Sequence, residues 1–97
     1  MSLKNAKAKG SRNERRSIRL LEGQGYTCTK AAGSLGLWDI IGIGTIDFVL
    51  VQVKSNAWPG SVEMEALRAF LAPPNARKVV HRWRDRQRLP DLREVAS

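Results

Sequence analysis

The sequence is poor in the residues that bind soft metal ions. Its 97 residues include one cysteine, Cys28, and one histidine, His81. A lone cysteine cannot form an intramolecular disulfide, and a zinc site of nitrogen and sulfur needs more such ligands than this chain has. Any metal bound by the chain is therefore held by oxygen atoms, which favours a hard cation such as Mg²⁺ or Mn²⁺.

Long apolar runs are also missing from the sequence. No stretch reaches the ~18 to 20 apolar residues of a transmembrane helix. The first residues also lack the apolar segment of a secretory signal peptide. We therefore expect no membrane partner and a cytoplasmic location.

Acidic residues are scarce, with 9 Asp and Glu against 17 Lys and Arg, for a formal net charge of +8. A positive field attracts polyanions, which makes nucleic acid the leading partner. A basic surface that serves solubility, or an acidic protein partner, is the alternative. Residues 1–10 are small and basic and predict a flexible arm, while residues 11–97 have the length of a single small domain.

The first predicted element is a helix from about Arg12 to Glu22. Ser11 and Glu14 have the Ser-x-x-Glu spacing of a capping box. Ile18 and Leu21 then recur at helical spacing. The pattern predicts that the helix begins just after Ser11.

Strands rich in Ile and Val make up most of the remaining chain. In order, the pattern predicts a strand near residues 26–30, a β-hairpin of residues 38–43 and 46–54, a helix at 61–71, a strand within 76–86 and a short strand near 91–96. The second run of the hairpin is apolar at nearly every position, which indicates a central strand covered on both faces. This order of elements predicts an α/β or α+β sheet with two flanking helices.

Polar residues interrupt the buried hairpin at its two ends. If Gly44 and Thr45 form a two-residue loop, Asp39 lies opposite Leu50 and, because side chains alternate along a strand, shares a face with Gln52 and Lys54. Asp39 and Gln52 would then both reach one cation. An odd-length loop or a β-bulge would break this arrangement.

Glu14 is predicted to join these residues, because it lies on the helix face that packs on the sheet. Each residue also has a purely structural explanation. Glu14 could only complete the capping box, Asp39 could be a turn residue, and Gln52 an inert amide at a strand end. Lys54 could extend to solvent or pair with Asp39. Together the four indicate a site more strongly than any one of them alone.

Three short motifs carry a family resemblance. "RNERR", "SLGLWD" and "VQVKS" resemble the helix Glu, the loop Ser with Asp, and the Glu-x-Lys of the archaeal-type Holliday junction resolvases, within the PD-(D/E)xK nuclease superfamily. Their order and spacing match over residues 10–86. The resemblance implies a restriction-endonuclease-like mixed β-sheet flanked by two helices. It further implies a metal-dependent endonuclease that acts as a homodimer on four-way DNA junctions.

The resemblance also implies roles for individual residues. Asp39, Gln52 and the Val53 carbonyl would bind Mg²⁺ or Mn²⁺, with Glu14 as a further contact. Lys54 would position the attacking water or stabilise the transition state as a point charge. Ser34 would lie on a loop that reaches the scissile phosphate or the metal, and a plain turn residue between glycines is its alternative.

Two positions depart from the family pattern. Trp38 stands where the superfamily motif has Pro, a position that shapes a turn. Gln52 stands where Glu is usual, and an amide oxygen is a neutral ligand. Loss of one negative charge should weaken the hold on Mg²⁺.

Basic residues in the first third of the chain are candidates for contact with DNA phosphates. These residues are Lys9, Arg12, Arg15, Arg16, Arg19 and Lys30. Ser34 is a further candidate for contact with DNA. A solvated helix face is the alternative explanation. Since a four-way junction is resolved by two symmetric cuts, we expect a homodimer, with Trp58, Phe70, Leu71 and Trp83 as candidates for its interface.

Other functions remain open at this point. A related nuclease could act on flaps, forks or nicked duplex. A non-catalytic nucleic-acid-binding module could keep the same fold after Gln52 had silenced the site. The sequence leaves open whether the process is DNA recombination, DNA repair or phage DNA processing.

Overall fold

The structure is a computed structural model that describes residues 3–31 and 36–96, with side chains from residue 9 onward. Its elements are, in chain order, α1 (Leu3–Gly23), β1 (Thr27–Lys30), β2 (Ile40–Ile43), β3 (Phe48–Ser55), α2 (Ser61–Ala69), β4 (Ala76–Trp83) and β5 (Asp91–Glu94). Neither described helix is long and apolar enough to cross a membrane.

The five strands form one sheet in the order β1-β2-β3-β4-β5. Neighbouring strands are antiparallel except for β3 and β4, which are parallel and are joined by α2. A parallel pair needs such a crossover, because the chain leaves the sheet where β3 ends and must return to the opposite edge, where β3 began, before β4 can start. The predicted mixed sheet flanked by two helices is confirmed.

Strand β3 lies at the centre of the sheet and is covered on both faces. Val49 and Val51 pack with Leu21 of α1 in one apolar cluster. Leu50 packs with Met64 and Leu67 of α2 in the other. The alternation of β3 therefore divides its side chains between the two helices, which confirms the predicted central strand.

Helix α1 begins at Leu3, well before the predicted start. Ser11 and Glu14 thus lie inside the helix, and the predicted capping box is wrong. Residues 3–10, predicted as a flexible arm, are helical as well. The segment has no proline and is rich in Ala and Lys, which favour helix, and one Gly10 costs only about 1 kcal/mol relative to Ala.

A buried polar network joins α1 to β4. The Ser17 hydroxyl is fully buried, accepts the Trp83 Nε1–H at 2.7 Å and bonds to His81 Nδ1 at 2.9 Å. The hydroxyl oxygen therefore accepts from Trp83 and shares a second hydrogen bond with the ring nitrogen of His81. Burial, with the nearby charge of Arg77, lowers the pKa of His81 to about 4. The neutral histidine therefore belongs to the packed helix–sheet interface.

Two further contacts determine where α1 lies along the sheet. Asn13 Nδ2 donates to Ser55 Oγ at 2.8 Å, at the end of β3. The guanidinium of Arg16 stacks over the Trp83 ring at 4.0 Å and donates to the Gln87 carbonyl. These contacts hold the middle of α1 against the ends of β3 and β4.

Helix α2 is held at its C-terminus by a buried lysine. Lys78 of β4 is 3% exposed, and its Nζ donates to the carbonyl oxygens of Leu67, Arg68 and Phe70 at 2.8, 3.0 and 3.1 Å. Burial lowers the pKa of Lys78. The ammonium satisfies carbonyls that have no partner within the helix, so it fixes α2 against the sheet.

Candidate active site

The hairpin of β2 and β3 has a longer loop than predicted. Ile43 pairs with Phe48 and Ile41 with Leu50, so the loop is residues 44–47 rather than Gly44-Thr45 alone. The predicted pairing of Asp39 with Leu50 is therefore wrong. The register moves by two residues, and an even shift leaves the alternation of faces unchanged. The sharing of one face therefore does not depend on which even-length loop forms.

Asp39 lies directly before β2, where the sheet opens. Its N–H donates to the Val51 carbonyl at 2.8 Å, and its Oδ2 accepts the Val53 N–H at 2.7 Å. Burial raises the pKa of this carboxyl, the Val53 N–H and Lys54 lower it, and Glu63 raises it further, with a net upward shift. The backbone of β3 thus holds one of the two carboxylate oxygens, Oδ2.

The Gln52 side chain is buried on the α2 face of β3, with 5% of its surface exposed. Its Nε2 donates to the Leu37 carbonyl at 3.2 Å and to Glu63 Oε2 at 3.0 Å. Its Oε1 is buried and has no hydrogen-bond partner among the described residues. A buried amide oxygen of this kind can accept a hydrogen bond or bind a cation.

Lys54 lies two residues further along the same face. Its Nζ pairs with Glu63 Oε1 at 2.9 Å. One carboxylate on α2 therefore contacts both Gln52 and Lys54. Glu63 was not among the residues predicted for the site, because in the sequence it is only an acidic residue in the first turn of a helix.

Glu14 approaches the group from the α1 side. Its Oε1 lies 3.8 Å from Lys30 Nζ. Burial raises the pKa of Glu14, and the charge of Asp39 raises it further against the opposing effect of Lys30. Glu14 therefore lies close enough to Asp39 for their charges to interact. It belongs to the interior of α1 and not to a helix cap.

The structure brings Glu14, Asp39, Gln52 and Lys54 to one end of the sheet, with Val53 bonded to Asp39. Ser34 lies outside the described residues. No group of three or more His, Cys, Asp or Glu side chains with the spacing of a metal site occurs in residues 3–31 and 36–96. An oxygen site here must therefore include the amide of Gln52 or backbone carbonyls.

The predicted DNA contacts divide into two groups. Arg12, Arg15 and Arg19 are exposed along α1. The other three described residues have partners within the protein: Lys9 pairs with Asp85 at 3.0 Å, Lys30 with Glu14, and Arg16 with Trp83 and Gln87.

The sequence matches no protein-family model and no curated protein. Among solved structures the chain is similar to Hjc, a Holliday junction resolvase from the archaeal hyperthermophile Archaeoglobus fulgidus. The TM-score is 0.66 at 22% sequence identity, and the match covers 88% of this chain and 73% of that chain.

The chain has the fold of an archaeal Holliday junction resolvase. The resemblance predicted from the three motifs is thereby confirmed at the level of the fold. Within this resolvase fold, the polar end of β3 is the place where the motif residues Asp39, Gln52 and Lys54 meet.

Proposed function

We propose that this protein is a metal-dependent endonuclease that cleaves phosphodiester bonds in four-way DNA junctions. The observation that carries the proposal is the Gln52 Oε1, which is buried beside Asp39 and Lys54 and receives no hydrogen bond from the residues that the structure describes, within a resolvase fold. A structural role alone would leave that oxygen uncompensated, at a cost of about 1–3 kcal/mol.

The donor atoms at this end of the sheet suit a hard cation. Asp39 Oδ1 and Gln52 Oε1 are oxygens, the ligand type that Mg²⁺ and Mn²⁺ prefer. The Val53 carbonyl faces the same side of β3 as the N–H that Asp39 accepts, because both groups of one residue point to the same neighbouring strand. These three residues would hold the ion. When bound, it would lower the pKa of a coordinated water and offset charge on the phosphate.

Lys54 supplies a positive charge that does not depend on the metal. Its ammonium is oriented by Glu63 at 2.9 Å, so it is held in place before a substrate arrives. A fixed cation beside a phosphate stabilises the charge that grows on the phosphate oxygens during attack. Glu14 lies within reach of the charge of Asp39 and adds negative potential at the α1 side.

The DNA surface in this proposal is the outer face of α1. Arg12, Arg15 and Arg19 are exposed there and can contact phosphates without reading sequence. Binding should weaken linearly as the logarithm of salt concentration rises, and neutralising these residues should reduce that slope. We place the protein in the cytoplasm, in contact with DNA during recombination or repair.

A homodimer is part of the proposal, because two symmetric cuts require two sites. Three of the four apolar interface candidates are used within one chain. Trp83 contacts Ser17, Phe70 packs edge-on against Trp38 at 5.6 Å, and the Trp58 ring contacts the guanidinium groups of Arg82 and Arg93. Leu71, at 93% exposure, is the remaining candidate for the interface.

Cleavage of a labelled four-way junction tests the proposal, with flap, fork and nicked duplex as competing substrates. We expect cuts in the junction with Mg²⁺ or Mn²⁺ and none with EDTA. Preferential cleavage of flaps or forks would assign a different nuclease. Tight binding without cleavage under any metal would favour the non-catalytic module, for which the neutral Gln52 is the supporting observation.

A further inference from the structure

Glu63 occupies a central position in the candidate site. Its two carboxylate oxygens have different partners: Oε2 accepts from Gln52 Nε2 at 3.0 Å, and Oε1 pairs with Lys54 Nζ at 2.9 Å. The residue lies in the first turn of α2, whose buried Met64 and Leu67 fix the helix on the sheet. Glu63 is therefore held where it can act on both side chains at once.

The contact with Glu63 decides which way the Gln52 amide faces. Both neighbours of Nε2, the Leu37 carbonyl and Glu63 Oε2, are acceptors. Rotating the amide by half a turn would bring its oxygen against two acceptors and lose both hydrogen bonds. The oxygen is thus directed away from Glu63, into a buried position where no described residue donates to it.

The distribution of charge at this end of the sheet is equally specific. Position 52 has an amide where the resembling enzymes have a carboxylate, but Glu63 lies in direct contact with that amide. Asp39 and Glu63 are close enough for the charge of Glu63 to act on Asp39. Asp39 and Glu63 thus provide two carboxylates beside Lys54, in addition to Glu14 on the α1 side.

We propose that Glu63 supplies the second negative charge of the cation site and orients the Gln52 amide oxygen toward the cation. In this view Gln52 and Glu63 together replace a single carboxylate at position 52, and Glu63 is a positioning residue. The inference rests on the proposed function, because it requires a hard cation at Asp39 and Gln52. The simpler explanation is that Glu63 only stabilises the helix N-terminus and pairs with Lys54.

Calorimetric titration of the DNA-free protein with Mn²⁺ separates these explanations. Glu63→Gln keeps the shape of the side chain and removes its charge, and Glu65→Gln removes the same charge from an exposed position two residues further along α2. We expect Glu63→Gln to weaken Mn²⁺ binding by about tenfold and Glu65→Gln by less than about twofold. Thermal unfolding of each variant establishes that the folded protein is being titrated.

A swap variant, Gln52→Glu with Glu63→Gln, tests whether the two residues act as a pair. It exchanges the carboxylate and the amide, preserves total charge and keeps a hydrogen bond between positions 52 and 63, while the hydrogen bond to the Leu37 carbonyl is lost. We expect Mn²⁺ affinity and junction cleavage to return to within about threefold of the unmodified protein.

Equal Mn²⁺ affinity in Glu63→Gln and Glu65→Gln would overturn the role of Glu63, as would a swap variant that binds no more tightly than Glu63→Gln. If the unmodified protein binds Mn²⁺ and cleaves junctions, such a result leaves the proposed function standing. If the unmodified protein neither binds Mn²⁺ nor cleaves any branched DNA, both proposals fail.

Discussion

Two polar clusters lie on opposite faces of the parallel pair β3 and β4, and they differ in how well the hydrogen bonds of their buried residues are satisfied. Beneath α1, the hydroxyl of Ser17 bonds to both His81 and Trp83. Beneath α2, Gln52 keeps an oxygen with no partner among the described residues, beside a charged pair of Lys54 and Glu63. In the sequence, both clusters belong to segments that are predicted to be buried. Only the second cluster has an oxygen atom that can still bind a ligand.

The difference shows how buried polar residues divide between structure and function. A network in which every donor and acceptor has a hydrogen-bond partner stabilises one packing arrangement. It has no group left to bind a ligand. An unsatisfied oxygen next to fixed charges costs folding free energy unless a ligand compensates for it. We therefore expect substitutions in the first cluster to change stability and substitutions in the second to change activity.

The largest expected effect is on catalysis, from Asp39→Asn. The asparagine keeps an oxygen for the Val53 N–H but removes the negative charge beside Gln52. Cleavage of a four-way junction should fall by at least about 100-fold, the size seen when a key electrostatic contact is lost. Gel-shift affinity and thermal stability should stay close to those of the unmodified protein. A fully active Asp39→Asn protein would contradict the assignment of the site.

Lowering the pH should destabilise the protein through the first cluster, because it protonates His81. Its pKa is lowered to about 4 by burial and by Arg77, whereas an unfolded histidine titrates near pH 6.5, so the unfolded state binds the extra proton first. Stability should therefore fall between pH 6.5 and pH 4, by about 3 kcal/mol from this group.

Urea unfolding across that pH range measures the effect. The matched variant is His81→Asn, whose side-chain amide can still form a hydrogen bond with Ser17 but does not titrate. Carboxylates contribute equally to both proteins, so the difference in slope isolates the histidine. Parallel pH profiles would show that folding does not lower the pKa of His81, which would contradict this prediction.

A moderate effect is expected from Lys78→Met, which tests how firmly α2 is held. The variant keeps an apolar stem of similar size but leaves the carbonyls of Leu67, Arg68 and Phe70 without their donor. The free energy of unfolding should fall by about 2 kcal/mol. The control is Arg68→Met, at an exposed position in the last turn of α2. It should change the free energy of unfolding by less than about 0.5 kcal/mol. Similar losses in the two variants would mean that Lys78 is not a cap.

The smallest expected effect comes from Ser11→Ala. A serine at a helix N-cap contributes about 1 kcal/mol, whereas a serine inside a helix contributes little and alanine favours helix there. Because α1 begins at Leu3, we expect a change within about 0.5 kcal/mol. A loss near 1 kcal/mol would show that the helix begins at Ser11 in solution and that residues 3–10 are an arm after all.

Sequence patterns alone predicted the order of elements and the central strand. The apolar run from Phe48 to Val53 indicates burial on both faces, and the two-residue alternation of strands sets which of its side chains share a face. That alternation survives any even change of loop length. Gln52 and Lys54 could therefore be grouped correctly although the predicted hairpin loop was two residues too short.

Only the tertiary structure decided the start of α1 and the membership of Glu63. Helix starts depend on weak local preferences, and the spacing of Ser11 and Glu14 matched a cap by coincidence. Glu63 contacts Gln52 and Lys54 because α2 crosses the sheet at one angle, which the packing of Leu67 and the hydrogen bonds of Lys78 determine. These contacts join residues about ten positions apart, and they depend on a third element, β4, that holds α2 in place. No local periodicity of the sequence predicts them.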